Sequence, residues 1–277
     1  MKSDAQHIEE PTNEELRVLT RRSALRLIGG AGFALIAGCA TEEPGAATTS
    51  LATTTSTGAA TTTPAVPSST TTAIASSTTF GNAGTCVLIP EETAGPFPLD
   101  LSGNEQFFRT DITEGKEGVP MTLTLAIVDV NSDCAPLSGA RVDLWHCDAL
   151  GAYSGFQQQG VGTTKETFCR GIQLADASGQ VSFQSIFPGW YEGRITHVHF
   201  QVFLESGVEA TSQIAFPQEI TDAVYAVEPY ASKGPNTSVA TIDRDMVFSD
   251  GSQYQMASIT GGADTRLLAT LLVGVAV

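Results

Sequence analysis

Apolar and polar side chains alternate strictly over several stretches in the second half of the chain. After Pro120, Met121, Leu123, Leu125 and Ile127 fall on one side of an extended backbone, and Thr122, Thr124 and Ala126 on the other. A repeat of two marks a strand with one buried face. Similar runs occupy residues 141–147, 180–186, 197–203 and 267–275, with clusters of Gly, Pro, Asp and Ser between them. The pattern predicts an all-β domain, an antiparallel β-sandwich or a distorted barrel, with no helix of useful length. The apolar run 267–277 is shorter than the roughly 20 residues a membrane-spanning helix needs.

Upstream the alternation stops. Residues 40–82 are dominated by Thr, Ser and Ala with scattered Pro, a composition that cannot bury a core, and they read as a flexible tether. Forty residues of coil reach roughly 35 Å. Before them, Arg21 and Arg22 form a twin-arginine pair, followed by an uncharged run, 27–38, that is too short to span a bilayer and reads as a signal-peptide core. The run ends Leu35, Ile36, Ala37, Gly38, Cys39, which resembles a bacterial lipobox. Such signals are cut before the cysteine, so Cys39 is expected to carry lipid as the first residue of the mature protein. The expected organisation is a signal peptide over 1–39, a tether over 40–82 and a folded domain over 83–277. The protein is expected to be exported and held at the cell membrane through Cys39, on its extracytoplasmic side. The twin-arginine route carries folded proteins, so a metal could be loaded before export.

Net charge is −16, from 14 Lys and Arg against 30 Asp and Glu, which argues against nucleic acid as a partner. Of five cysteines, Cys39 stands apart while Cys86, Cys134, Cys147 and Cys169 fall in the domain. Four cysteines in an exported domain permit two disulfides in any of three pairings. Cys134 and Cys147 flank a short turn between two predicted strands, so a bridge is expected there, closing a loop worth roughly 3 kcal/mol. Cys86 with Cys169 is then the remaining pair.

The candidate chemistry lies in PGWYEGRITHVHF, residues 188–200. His197 and His199 are two apart on a predicted strand, so their imidazoles share a face while Val198 and Phe200 enter the opposite layer. Alone, that spacing suits a pair of hydrogen-bonded histidines as well as it suits a metal site. Tyr191 follows a Pro-Gly turn six residues upstream of His197, and Tyr153 lies in WHCDALGAYSGF after another strand. Phenolate is a hard anionic donor matched to a hard trivalent cation, and imidazole is acceptable to iron. Packing at loop edges is the commoner fate of a single tyrosine.

Taken together, Trp145, His146, Cys147, Tyr153, Phe168, Cys169, Arg170, Gly171, the PGWYEGR run, His197 and His199 resemble the intradiol ring-cleavage dioxygenases. EETAGPFPLD, residues 91–100, resembles that family's short N-terminal motif. The resemblance covers the chain from about Cys86 onward. It implies a non-heme Fe(III) held by Tyr153, Tyr191, His197 and His199, with O2 as co-substrate and a small aromatic diol as substrate. It further implies that Tyr191 leaves the iron when substrate chelates, that Arg194 stabilises the ketonised substrate, and that Gln213 sits near the substrate ring. The product would be a muconate-type diacid. Two other readings are a transthyretin-like or carboxypeptidase-regulatory module, suggested by PLSGARVDLW, and a non-catalytic binder of iron or catechol siderophores. The four ordered donors argue against the first, and Arg194 against the second. The family's helical dimerisation segment has no counterpart before this domain, and the oligomeric state is left open.

Overall fold

The protein is described by a computed structural model covering residues 86–158, 161–162 and 165–277. The twin-arginine pair, Cys39 and the tether up to residue 82 lie outside the described residues.

Period-two segments become strands where expected: β1 (Pro120–Asp129), β3 (Arg141–Trp145), β7 (Gln180–Ile186), β8 (His197–Leu204) and β11 (Leu267–Val275). Six further strands complete the set among the described residues: β2 (Ala135–Pro136), β4 (Gln157–Gln158), β5 (Val161–Gly162), β6 (Arg170–Leu174), β9 (Gly207–Ala215) and β10 (Ser258–Gly261). One sheet runs β10–β11–β1, with both β7 and the short β2 also paired to β1 at different points along it. The other runs β6–β3–β8–β9, and β4 with β5 forms a small ribbon. The first two sheets make the predicted sandwich. Pairing is antiparallel except between β1 and β11, which run parallel. Those two strands are far apart in sequence, so no hairpin dictates their direction.

The core forms where the two inner faces meet. Met121, Leu123, Leu125 and Ile127 of β1 pack with Val198, Phe200 and Val202 of β8 in one apolar cluster, and all are buried. Full burial of each such side chain stabilises the fold by about 1.5–3 kcal/mol.

Two expectations are corrected. A helix, α1 (Gln218–Tyr225), is present. Pro217 starts it, Gln218 donates to Asp222 one turn on (2.8 Å), and Thr221, Val224 and Tyr225 form its buried face. Eight residues give a helical period too few repeats to stand out. The disulfide joins Cys86 to Cys134, with Cα atoms 5.6 Å apart, while Cys147 and Cys169 are buried free thiols. The reason is topological: β2 pairs within the first sheet and β3 within the second, so the turn between them crosses the sandwich and closes no hairpin. Cys134 instead meets the N-terminal segment, which docks beside β11 through the Ile89 N–H to the Gly274 carbonyl (2.8 Å).

Candidate metal centre

At one end of the second sheet the outer face is as buried as the inner face. Cross-strand partners point the same way, so the register places Arg170, Trp145, His199 and Gln213 side by side across β6, β3, β8 and β9. None is more than 4% exposed. The Trp145 indole stacks on the His199 imidazole, planes 2° apart and centroids 5.2 Å apart. Loops and the N-terminal segment cover this row. Within that segment, Gly95 (φ +71°) lies so close to His199 that a Cβ there would sit 3.0 Å from the ring, which gives the GPF motif a steric reason.

Two loops bring in the tyrosines, and glycines let their backbones touch. A Cβ on Gly151 would strike the Trp190 carbonyl, and one on Gly189 would strike the Ala149 carbonyl. Lys233 bridges the same loops by donating to the Leu150 carbonyl (2.6 Å) and to that of Trp190. So close an approach sets the rings of Tyr153 and Tyr191 edge to face, with centroids 5.7 Å apart. Phe97 stacks on Tyr153 (4.5 Å) and meets Tyr191 edge-on (6.1 Å), making an aromatic wall.

Four donor atoms converge. His197 Nε2 lies 3.1 Å from His199 Nε2, 3.3 Å from the Tyr153 hydroxyl and 3.4 Å from that of Tyr191. Ligands at about 2.0–2.2 Å from one first-row metal ion are separated by about 2.9–3.6 Å, so the spacing is that of donors sharing an ion. His197 Nδ1 is 2.6 Å from the Ile195 carbonyl, which only accepts, so Nδ1 carries the proton and the Nε2 lone pair faces the cluster. His199 Nδ1 is buried without a hydrogen-bond partner. If Nδ1 holds the His199 proton, two lone pairs confront each other; if Nε2 holds it, Nδ1 is left as a bare acceptor. A cation between the two Nε2 atoms turns the first arrangement into ligation. Among the described residues no group of three or more His, Cys, Asp or Glu is gathered for a metal, and half of this donor set is phenolic.

Burial opposes charge on all four groups. It pushes the Tyr191 phenol up to about 12, against the lowering pull of Arg194, and Tyr153 well above its ordinary value. Burial and then Arg194 bring His197 down to about 3; burial and then His197 drive His199 well below its usual range. Two phenolates here need a strong positive charge beside them, and a trivalent cation supplies it. The residues present therefore fit a ferric ion.

Arg194 and Gln213 complete the site. Arg194, 6% exposed, donates through Nε to Asp245 and through Nη2 to Gln213 Oε1 (2.6 Å), leaving Nη1 3.5 Å from His197 Nε2. Gln213 donates to the Thr93 carbonyl (2.8 Å), tying the N-terminal segment to the sheet. Neither residue lies at the surface: Arg194 pairs with Asp245, and the Gln213 side chain is wholly buried. Sequence reasoning missed Asp245, whose TIDRDMVF context carries no spacing signal, and Phe97, which lay inside a recognised motif without a role. A cavity of about 550 Å3 lies behind Ile195 and Thr196, between α1 and residues 235–243, and none of the four donors lines it.

A two-sheet sandwich that gathers two imidazoles and two phenols on its outer face is a candidate site for an ion bound through oxygen and nitrogen. A family profile described as Dioxygenase matches residues 102–246, just over half of the chain. An intradiol ring-cleavage dioxygenase from Tetranychus urticae superposes with a TM-score of 0.61 at 27% identity, covering 69% of this chain and 95% of that one. A second solved dioxygenase gives 0.59 at 27% identity with the same coverage. Catechol 1,2-dioxygenase 1 of Acinetobacter lwoffii is 24% identical over 211 residues, and the chain spans 65% of that relative's length. The chain belongs to the intradiol ring-cleavage dioxygenase family.

Proposed function

We propose that the protein is an Fe(III)-dependent dioxygenase that opens the ring of a catechol-type aromatic between its hydroxyl-bearing carbons, using O2 and giving a muconate-type diacid. The observation that carries this reading is the convergence of Tyr153, Tyr191 and His199 on His197 Nε2 within 3.4 Å. When bound there, a ferric ion supplies a Lewis acid that draws electron density from a chelated diol and opens the ring to attack by O2. The chain does the rest. Tyr153, fully buried and stacked on Phe97, is a fixed donor, whereas Tyr191 is only half-buried and on a turn, placed to release and to accept the proton of an incoming hydroxyl. Phe97 offers a ring face for the substrate beside both tyrosines. Arg194 Nη1 faces the donor cluster and stabilises negative charge that develops on the substrate. Trp145 and the N-terminal segment keep water from His199.

The test is the visible spectrum and oxygen uptake of the iron-loaded protein. A broad tyrosinate-to-iron band that shifts on adding catechol, followed by oxygen consumption, supports the reading. A colourless protein with full iron content refutes the ligand set, and a coloured protein that binds a broad catechol panel without consuming oxygen marks a binder.

We further propose attachment to the membrane through Cys39, based on the lipobox-like run before the Thr-rich tether. Cys39→Ala should move the protein from the membrane pellet to the soluble fraction; an unchanged pellet refutes the anchor.

A further inference from the structure

Arg194 faces the donor cluster because other groups hold its remaining nitrogens, and the charged one of these comes from a distant loop. Asp245 lies just after the short 3-10 turn Ile242–Arg244 and is fully buried. Its carboxylate serves several donors at once. Arg194 Nε donates to both oxygens (3.1 and 2.9 Å), the Ile195 N–H to one (2.8 Å), and the Val247 N–H to the other (2.9 Å). Gln213 takes Nη2, so the guanidinium plane is fixed at both ends and Nη1 is the terminal nitrogen turned toward His197.

The second contact reaches the donor set by another route. Ile195 gives its N–H to Asp245 and its carbonyl to His197 Nδ1 (2.6 Å). One carboxylate therefore steadies both the arginine and the residue that fixes the tautomer of a donor imidazole. Burial alone would raise this carboxyl; the hydrogen bonds from Arg194 and Ile195 hold it below the ordinary carboxylate range, so it stays charged opposite the arginine. Asn236 adds a neutral tie from the same stretch of chain, donating to the Arg194 carbonyl (2.8 Å).

We infer that Asp245 is a positioning residue of the ring-opening reaction, aiming Arg194 Nη1 at the reacting diol while touching neither diol nor metal. The inference rests on the proposed activity. Asp245→Asn keeps the shape and one acceptor but removes the charge and the shared grip on Nε. In the iron-loaded protein it should keep the tyrosinate colour and, without oxygen, bind catechol within about twofold of wild type, because the arginine acts after chelation. Turnover should fall by about tenfold to a hundredfold. The Arg194→Ala/Asp245→Asn double variant, which leaves no unpaired buried guanidinium, should turn over no more slowly than Arg194→Ala alone. Wild-type turnover in Asp245→Asn, loss of colour and catechol binding together, or multiplying effects in the double variant would each overturn the inference. Should the wild type open no catechol ring, the proposed activity fails separately. The inference is then read from a crystal structure of Asp245→Asn, where an Arg194 side chain still turned to His197 as in the wild type overturns it and a displaced one sustains it.

Discussion

At the end of the second sheet that carries His197 and His199, both faces are buried and they are chemically opposite. Inward, Val142, Leu144, Val198, Phe200 and Val202 meet the other sheet and need no partners. Outward, Arg170, His199 and Gln213 are buried just as completely, where a polar atom left without a partner is costly. An ordinary sandwich sends polar outward residues into water. Here the loops carrying Tyr153 and Tyr191 and the N-terminal segment exclude that water. The polar residues answer to one another through Arg194, Gln213 and Asp245, and the imidazole–phenol cluster offers donors spaced to hold a cation. Arg170 makes the same point at the row's far end: burial lowers it to about 10, and it is held by the Ser154 hydroxyl (2.9 Å) and carbonyl (2.8 Å).

This contrast is broken most severely by changes to the donor set on one face and to the apolar core on the other. His197→Ala or Tyr153→Phe should erase the ferric colour and take ring cleavage to background while leaving the inner core intact, as iron analysis and visible spectroscopy of the purified variants will show. Phe200→Ala should do the reverse, costing about 3–5 kcal/mol in denaturant unfolding while the folded fraction keeps its colour. Loss of colour from folded Phe200→Ala, or retention of it in His197→Ala, would dissolve the distinction between the faces.

A smaller effect separates holding from chemistry. Arg194→Ala should keep iron and colour but lower turnover by about a hundredfold, close to 3 kcal/mol, with little change in KM. Oxygen uptake with catechol and hydroxyquinol measures it, and equal rates would remove Arg194 from the reaction.

The smallest effect concerns a histidine outside the cluster. His146 donates to the Cys147 carbonyl (2.7 Å) and accepts from Ser185 (2.7 Å), and burial brings it down from 6.5 to about 4. Between those values the unfolded chain gains a proton on this ring that the folded protein refuses, so stability falls as pH drops through the window. His146→Gln should flatten that slope by up to about 1.4 kcal/mol per pH unit, read from denaturation midpoints at several pH values. An unchanged slope would mean that the ring is charged when folded.

Much of this was legible in the residue pattern because strands state their parity. The alternation in β1, β7, β8 and β11 named both the core face and the shared face of His197 and His199. What stayed hidden depends on contacts remote in sequence. Asp245 is one acid among 30 acidic residues, and only the fold brings it to Arg194, 51 positions away. The partner of Cys134 followed from which sheet each neighbouring strand joins, and the short helix α1 from eight residues with too little repeat to read.

The central claim is that the buried polar face performs intradiol chemistry, and the structure of the product tests it most directly. Iron-loaded protein should be supplied with catechol and isotopically labelled O2, and the product examined by NMR and mass spectrometry. A ring-opened diacid, with two carboxyl carbons and label from O2, is the predicted result. An aldehyde-bearing product cut beside the diol, or catechol recovered unchanged from a coloured, iron-replete protein, would contradict it.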